Sequence, residues 1–113
     1  MKTIVAGGRD FTDFNFLSTI LDKKANSITE IVCGGAKGAD AMGKKWAELR
    51  NVPVKMFPAD WKRYGRGAGP KRNTEMANYA EQLIAFWDGE SKGTKHMINQ
   101  AKKLGLEVQI INY

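Results

Sequence analysis

Short apolar runs alternate strictly with amphipathic stretches along this chain, and that alternation constrains the fold more than any other feature. The runs fall at Thr3–Ala6, Glu30–Cys33, Val54–Phe57, Leu83–Trp87 and Val108–Ile111. They are near-continuous, as expected of strands buried on both faces. Between them, Phe14, Leu17, Ile20 and Leu21 recur at helical spacing, as do Ala39, Met42, Trp46 and Ala47. Asn73, Met76, Ala77 and Ala80 form a shorter stripe; Met97, Ile98, Ala101 and Leu104 form the last, stopped by Gly105. The order β-α-β-α-β-α-β-α-β predicts an α/β protein: a single Rossmann-like domain over residues 1–113, with a five-stranded parallel sheet and helices on both faces. Right-handed crossovers make 3-2-1-4-5 the simplest strand order. The chain then reverses direction between the first and fourth strands, and ligands of such sheets bind there, outside the carboxyl ends of the strands.

The loops at those carboxyl ends are unlike the others. They read GGRDFTD (Gly7–Asp13), GGAKGAD (Gly34–Asp40), PADWKRYGRGAGPKRN (Pro58–Asn73) and DGESKGT (Asp88–Thr94), and most of the twelve glycines lie in them. The opposite connections, such as KKANSIT and RNVP, are plain turns. Glycine lets a ligand approach the backbone closely, and free N–H groups at a helix start favour an anion. GGAKGAD therefore predicts a backbone cradle formed by Gly34, Gly35, Ala36 and Gly38, with Lys37 available for charge. A tight strand–helix turn without a ligand would use the same glycines.

Charge sharpens the expectation. The net charge is +6, and from Lys55 to Arg72 six basic residues face the single acid Asp60. A basic loop points to an anionic partner: phosphate, nucleotide or nucleic acid. One cysteine excludes an internal disulfide and fits a reducing cytoplasm; one cysteine with one histidine argues against a zinc site. No cofactor, metal, membrane span or secretory leader is expected.

Familiar nucleotide motifs are absent. GGAKGAD lacks the spacing of a P-loop; in DGESKGTK the glycines are four apart and Thr94 precedes the lysine. GRGAGP is not a dinucleotide fingerprint and does not follow a strand. No Ser/His/Asp triad is visible, and His96 reads as a solvated or capping residue rather than a base.

Individual residues carry paired readings. Asp40 either caps the second helix or binds a ribose hydroxyl. Arg9 can meet a phosphate, and Asp10 either orients Arg9 or caps the first helix. Ser91, Gly93 and Thr94, after Asp88 and Gly89, open the last helix and either donate to a phosphate or only cap it. Trp61, beside Asp60, either stacks on a base or anchors its loop. Trp46, Trp87, Met42, Met76 and Met97 read as packing residues. The stretch Lys62–Lys71 reads as a mobile flap that orders on ligand.

GGRDF, GGAKGAD, PADW, GAGPKRNTEM and FWDGESKGT, in this order and one per strand end, resemble the YspA-related branch of the SLOG superfamily, named for the Smf/DprA and lonely-guy proteins. The resemblance implies a Rossmann-like fold and binding of nucleotides or nucleotide-derived ligands, often as sensors or processors of signals in bacteria and phages. It also implies a homodimer or tetramer. Lonely-guy enzymes hydrolyse the N-glycosidic bond of nucleoside 5'-monophosphates, with R-K-x-x-M and P-G-G-x-G-T-x-x-E signatures. RNTEM matches the first, giving Arg72 and Met76; Gly93 and Thr94 match the G-T pair. The place of the catalytic glutamate falls on Met97, which handles no proton. Three readings follow. The first is a binding module for a nucleotide-derived small molecule, using Arg72 and Asn73 with the loops above. The second is a lonely-guy-type glycosidase in which Asp88, Glu90 or Glu75 replaces the missing carboxylate. The third is single-stranded nucleic acid binding by the basic loop with Trp61 and Tyr64.

Overall fold

A computed structural model describes residues 1–113. The strands are β1 (Lys2–Gly7), β2 (Glu30–Cys33), β3 (Val54–Met56), β4 (Gln82–Trp87) and β5 (Glu107–Asn112). The helices are α1 (Phe14–Lys23), α2 (Ala39–Leu49), α3 (Trp61–Tyr64), α4 (Ala68–Tyr79) and α5 (Lys92–Lys103). The strands form one parallel sheet in the order β3-β2-β1-β4-β5, as the alternation predicts. β1 runs beside β4 over five residue pairs, Thr3–Gln82 to Gly7–Phe86. The reversal point therefore lies at Gly7 and Phe86.

The continuous apolar runs have the expected cause. Successive side chains of β1 and β4 point to opposite faces, and both faces are covered. Ile4, Ala6, Leu83 and Ala85 pack with Met76 and Ala77 of α4 and Met97, Ile98 and Ala101 of α5. Val5, Ile84 and Phe86 pack with Leu17 and Leu21 of α1 and Ala39, Trp46 and Ala47 of α2. Burying each large side chain contributes roughly 1.5–3 kcal/mol. The edge strands are less covered: β3 exposes Lys55 and Met56, and β5 is at most half-buried. No helix is long and apolar enough to cross a membrane.

The third connection departs from the sequence expectation. In place of a loop reaching to Asn73, α3 and a tight turn at Gly65–Gly67 lead into α4, which begins at Ala68. The side chain of Asp60 starts α3 by accepting from the Arg63 amide at 3.1 Å. Pro70 lies in the first turn of α4, where its missing N–H costs no helical bond. The apolar stripe begins only at Asn73 because the first turn of α4 buries one small side chain, Ala68, and exposes Pro70 and Lys71, so periodicity could not find it. Arg72 and Asn73 consequently project from inside a helix, with their backbone fixed.

Candidate ligand-binding cleft

All four connections at the carboxyl ends of β1–β4 meet around one cleft of about 610 Å³. Ala6, Met76 and Met97 line it from the core side. Gly7–Asp10 line it from the first connection, Ala36 and Asp40 from the second, and Trp61, Gly69, Pro70, Arg72 and Asn73 from the third. Asp88, Ser91, Lys92, Gly93, Thr94 and His96 complete it from the fourth.

The glycine-rich GGAKGAD turn directs the amides of Gly34 and Ala36, and that of Ala39 after it, to the protein itself. One carboxylate oxygen of Asp40 accepts from the amides of Gly34 at 2.9 Å and Ala36 at 2.7 Å. Burial pushes the Asp40 carboxyl above its ordinary value, against the opposing pull of the Ala36 amide and the Arg72 guanidinium. The first amide of α2, Ala39, donates to the Gly8 carbonyl at 3.3 Å. Gly38 lies at φ +76, and a side chain there would run into the Gly8 carbonyl and the Arg9 backbone. The first and second connections are thus locked together, and Asp40 ties the turn.

Arg72 reaches across this turn. Its Nη1 donates to the Gly34 carbonyl at 2.8 Å, and the guanidinium occupies the space a Gly34 side chain would need. Its Nε donates to Asn73 Oδ1 at 3.1 Å, while Nη2 has no protein acceptor. Asn73, buried, places its amide nitrogen 3.3 Å from the Gly93 carbonyl and 3.2 Å from His96 Nδ1. A polar chain therefore joins the second, third and fourth connections.

The fourth connection keeps donors free. Asp88 accepts from the amides of Glu90 at 2.8 Å and Ser91 at 2.9 Å. The Ser91 and Glu90 amides hold its carboxyl below the ordinary value. Ser91 caps α5, its hydroxyl accepting from the Thr94 amide at 3.4 Å. The amides of Lys92 and Gly93, in the first turn of α5, donate to no protein group.

On the opposite rim, the hydroxyl of Tyr113 donates to Asp10 Oδ1 at 3.0 Å, and its ring meets Phe11 edge-on at 4.8 Å. Burial and the Asp10 carboxylate push this phenol up to about 12. Asp10 is thereby held by a residue far along the chain, and α1 is capped instead by Asp13. Trp61 is 53% exposed at the mouth of the cleft, its ring edge over Gly69.

Several expected residues lie elsewhere. Gly34, Gly35 and Gly38 shape the second turn behind the lining, and Lys37 is exposed beside it. Asp60 caps α3, and Gly89 lies outside the lining. Glu75 is exposed, 3.9 Å from Lys71, and outside the cleft lining. Conversely, His96 and Pro70 line the cleft and Tyr113 braces its rim. Only His96 left a sequence signal: it lies three residues after Gly93, on the same helical face.

Comparison with known proteins agrees with this architecture. The DNA processing protein A (DprA) of Streptococcus pneumoniae superposes with a TM-score of 0.77 at 21% identity, over 99% of this chain and 50% of that one. The likeness shows the fold, and this chain spans half that protein's length. The Gene 61 protein of Mycobacterium phage D29 is 34% identical over 95% of this chain and 93% of its own length. The family model for YspA, cpYpsA-related SLOG proteins matches residues 1–64, the stretch that holds the first two connections and Asp60-Trp61. Because that model matches more than half of the chain, this chain belongs to the YspA, cpYpsA-related SLOG family.

Proposed function

We propose that the cleft binds a nucleotide or nucleotide-derived small molecule, and that the protein acts as a sensor or a sequestering protein for it. The observation that carries this reading is the convergence on one cleft of unspent donors and an exposed indole. Arg72 Nη2 and the Lys92 and Gly93 amides suit phosphate oxygens; Trp61 offers a stacking face for a base. Membership of a SLOG family fits a nucleotide-related ligand.

Binding is favoured over hydrolysis by what the carboxylates do. Met97, at the place of the lonely-guy glutamate, is 1% exposed against the core. Asp88 is engaged by two amides, Asp40 by two more, and Glu75 lies outside the lining. A glycosidase needs a carboxylate free to handle a proton or stabilise an oxocarbenium-like transition state. A second reading, single-stranded nucleic acid, draws on exposed Trp61 and Tyr64 amid Lys62, Arg63, Arg66 and Lys71, and on the fold shared with a DNA processing protein.

Equilibrium dialysis of the protein against nucleotides, cyclic dinucleotides and ADP-ribose derivatives, read by mass spectrometry, with oligonucleotides of graded length titrated in parallel, tests all three. An intact retained nucleotide is expected. Release of free base with ribose 5-phosphate would establish turnover instead. Length-dependent oligonucleotide binding with steep salt dependence would favour the second reading. Arg72→Ala is expected to weaken the retained nucleotide by at least about tenfold, the scale of one charge-assisted hydrogen bond.

A further inference from the structure

The chain's single histidine lines the cleft, and its proton can be placed by elimination. Arginine only donates hydrogen bonds, so the Asn73 atom facing Arg72 Nε at 3.1 Å must be the amide oxygen. The Asn73 nitrogen then faces the Gly93 carbonyl at 3.3 Å and His96 Nδ1 at 3.2 Å. An amide nitrogen also only donates, so Nδ1 must accept and is bare. The ring proton sits on Nε2, which has no protein partner. Two donor-only groups in series thus fix a tautomer that a histidine alone would leave open.

We infer that His96 is a specificity-determining residue of the cleft. Held by Asn73 in the Nε2–H tautomer, it presents one directed donor that selects an acceptor atom on the ligand. The inference rests on the nucleotide reading of the cleft. Its geometry is favourable: side chains of a helix lean toward its start, so His96 leans over the turn that carries the free Lys92 and Gly93 amides. A ligand group offering a donor at that position would meet a donor and lose the contact. The acceptor is either a phosphoryl oxygen or an acceptor on the nucleoside.

Nitrogen-15 NMR of the imidazole, at about pH 8, reads the tautomer directly, and a single histidine leaves no assignment ambiguity. The ligand-free protein is expected to show a bare Nδ1 and a protonated Nε2. Asn73→Asp, whose carboxylate can accept from Arg72 Nε and His96 while giving up the bond to the Gly93 carbonyl, should move a proton onto Nδ1. AMP, GMP and their nucleosides are then titrated into wild type, His96→Phe and His96→Gln. Nucleotide should move the Nε2 signal; His96→Phe should weaken binding about tenfold, while His96→Gln, which keeps a donor, should recover most of it. Loss confined to AMP and GMP assigns the acceptor to phosphate; equal loss with nucleosides assigns it to the nucleoside. A protonated Nδ1 in the wild type would overturn the inference whatever binds. So would nucleotide binding that leaves Nε2 unmoved and His96→Phe unaffected, and in that case the nucleotide reading would stand. A bare Nδ1 with no binding of the four compounds, nor of any nucleotide, cyclic dinucleotide or ADP-ribose derivative in the dialysis, would bring down the nucleotide reading, and the role of His96 with it.

Discussion

GGAKGAD and DGESKGT look alike as sequences: each joins a strand to a helix, each carries glycines, a lysine and an aspartate. In the folded protein they are tied differently: the first is fixed to Asp40 and to the Gly8 carbonyl, the second to its own Asp88. The first turn gives the amides of Gly34 and Ala36 to Asp40 and that of Ala39 to Gly8. The second uses Asp88 only on the amides of Glu90 and Ser91, and leaves those of Lys92 and Gly93 unspent. Glycine content marks a turn where backbone comes close to something. Whether that something is the protein or a ligand depends on where the N–H groups go.

Substitutions at the glycines should break the comparison most sharply. Gly38→Ala places a methyl group against the Gly8 carbonyl and the Arg9 backbone at positive φ, and neither neighbour is a flexible side-chain end. We expect a loss of about 3 kcal/mol or more, or failure to fold, by denaturant unfolding. Gly93→Ala meets nothing within 4 Å and lies in the first turn of α5. Its stability should stay within about 1 kcal/mol of wild type or rise, because alanine is the better helix former. Equal, large losses at both positions would mean that the fourth connection is as tightly locked as the second.

Asp40 comes next. Asp40→Ala strands two amides, at least one of them buried, and should cost about 2–4 kcal/mol. Asp40→Asn keeps an acceptor for both amides and removes a buried charge, so it should lie within about 1 kcal/mol of wild type. If Asn were as damaging as Ala, the charge rather than the acceptor would be what the turn requires.

These contrasts also measure what could be read without coordinates. The strands followed from apolar runs at Ile4, Ile31 and Leu83, because a sheet covered on both sides leaves no polar alternation, and their order followed from right-handed crossovers. The cleft's position followed from the strand order. What escaped were contacts between residues distant in sequence: Arg72 with Gly34, Asn73 with His96, Tyr113 with Asp10. Asp40 was legible as a helix-start aspartate, yet local pattern could not tell that its carboxylate turns back to Gly34 and Ala36. The start of α4 was hidden for another reason. GRGAGP carries helix-breaking residues, and their tolerance at a first turn depends on the exact residue at which the helix begins.

Trp61 should show a moderate effect on binding and a small one on stability. Half-exposed, with its ring edge beside Gly69 and outside both core clusters, it contributes little to the core. If its indole stacks on a base, Trp61→Ala should cost about 1–3 kcal/mol in nucleotide affinity by calorimetry, with the melting temperature nearly unchanged. A large fall in melting temperature with intact affinity would make it an anchor for α3 instead.

The smallest effect distinguishes the two turns by sign. Asp88 is held below its ordinary value by the Ser91 and Glu90 amides; Asp40 is raised above it, chiefly by burial. Below about pH 4, an unfolded chain binds a proton at residue 88 that the folded chain refuses, so the stability Asp88 supplies is present above that pH and drains as pH falls through its lowered value. At Asp40 the folded chain keeps a proton that the unfolded chain has released, so stability falls as pH rises from about 4 to its raised value. Against wild type, Asp88→Asn should therefore lose its disadvantage on acidification. Asp40→Asn should instead gain on wild type as pH rises through that window. Thermal melts of the three proteins from about pH 3 to pH 7 would read both slopes. Slopes of the same sign would mean that the two aspartates do the same work, and that the buried Asp40 and the exposed Asp88 do not tie their turns in the different ways their hydrogen bonds indicate.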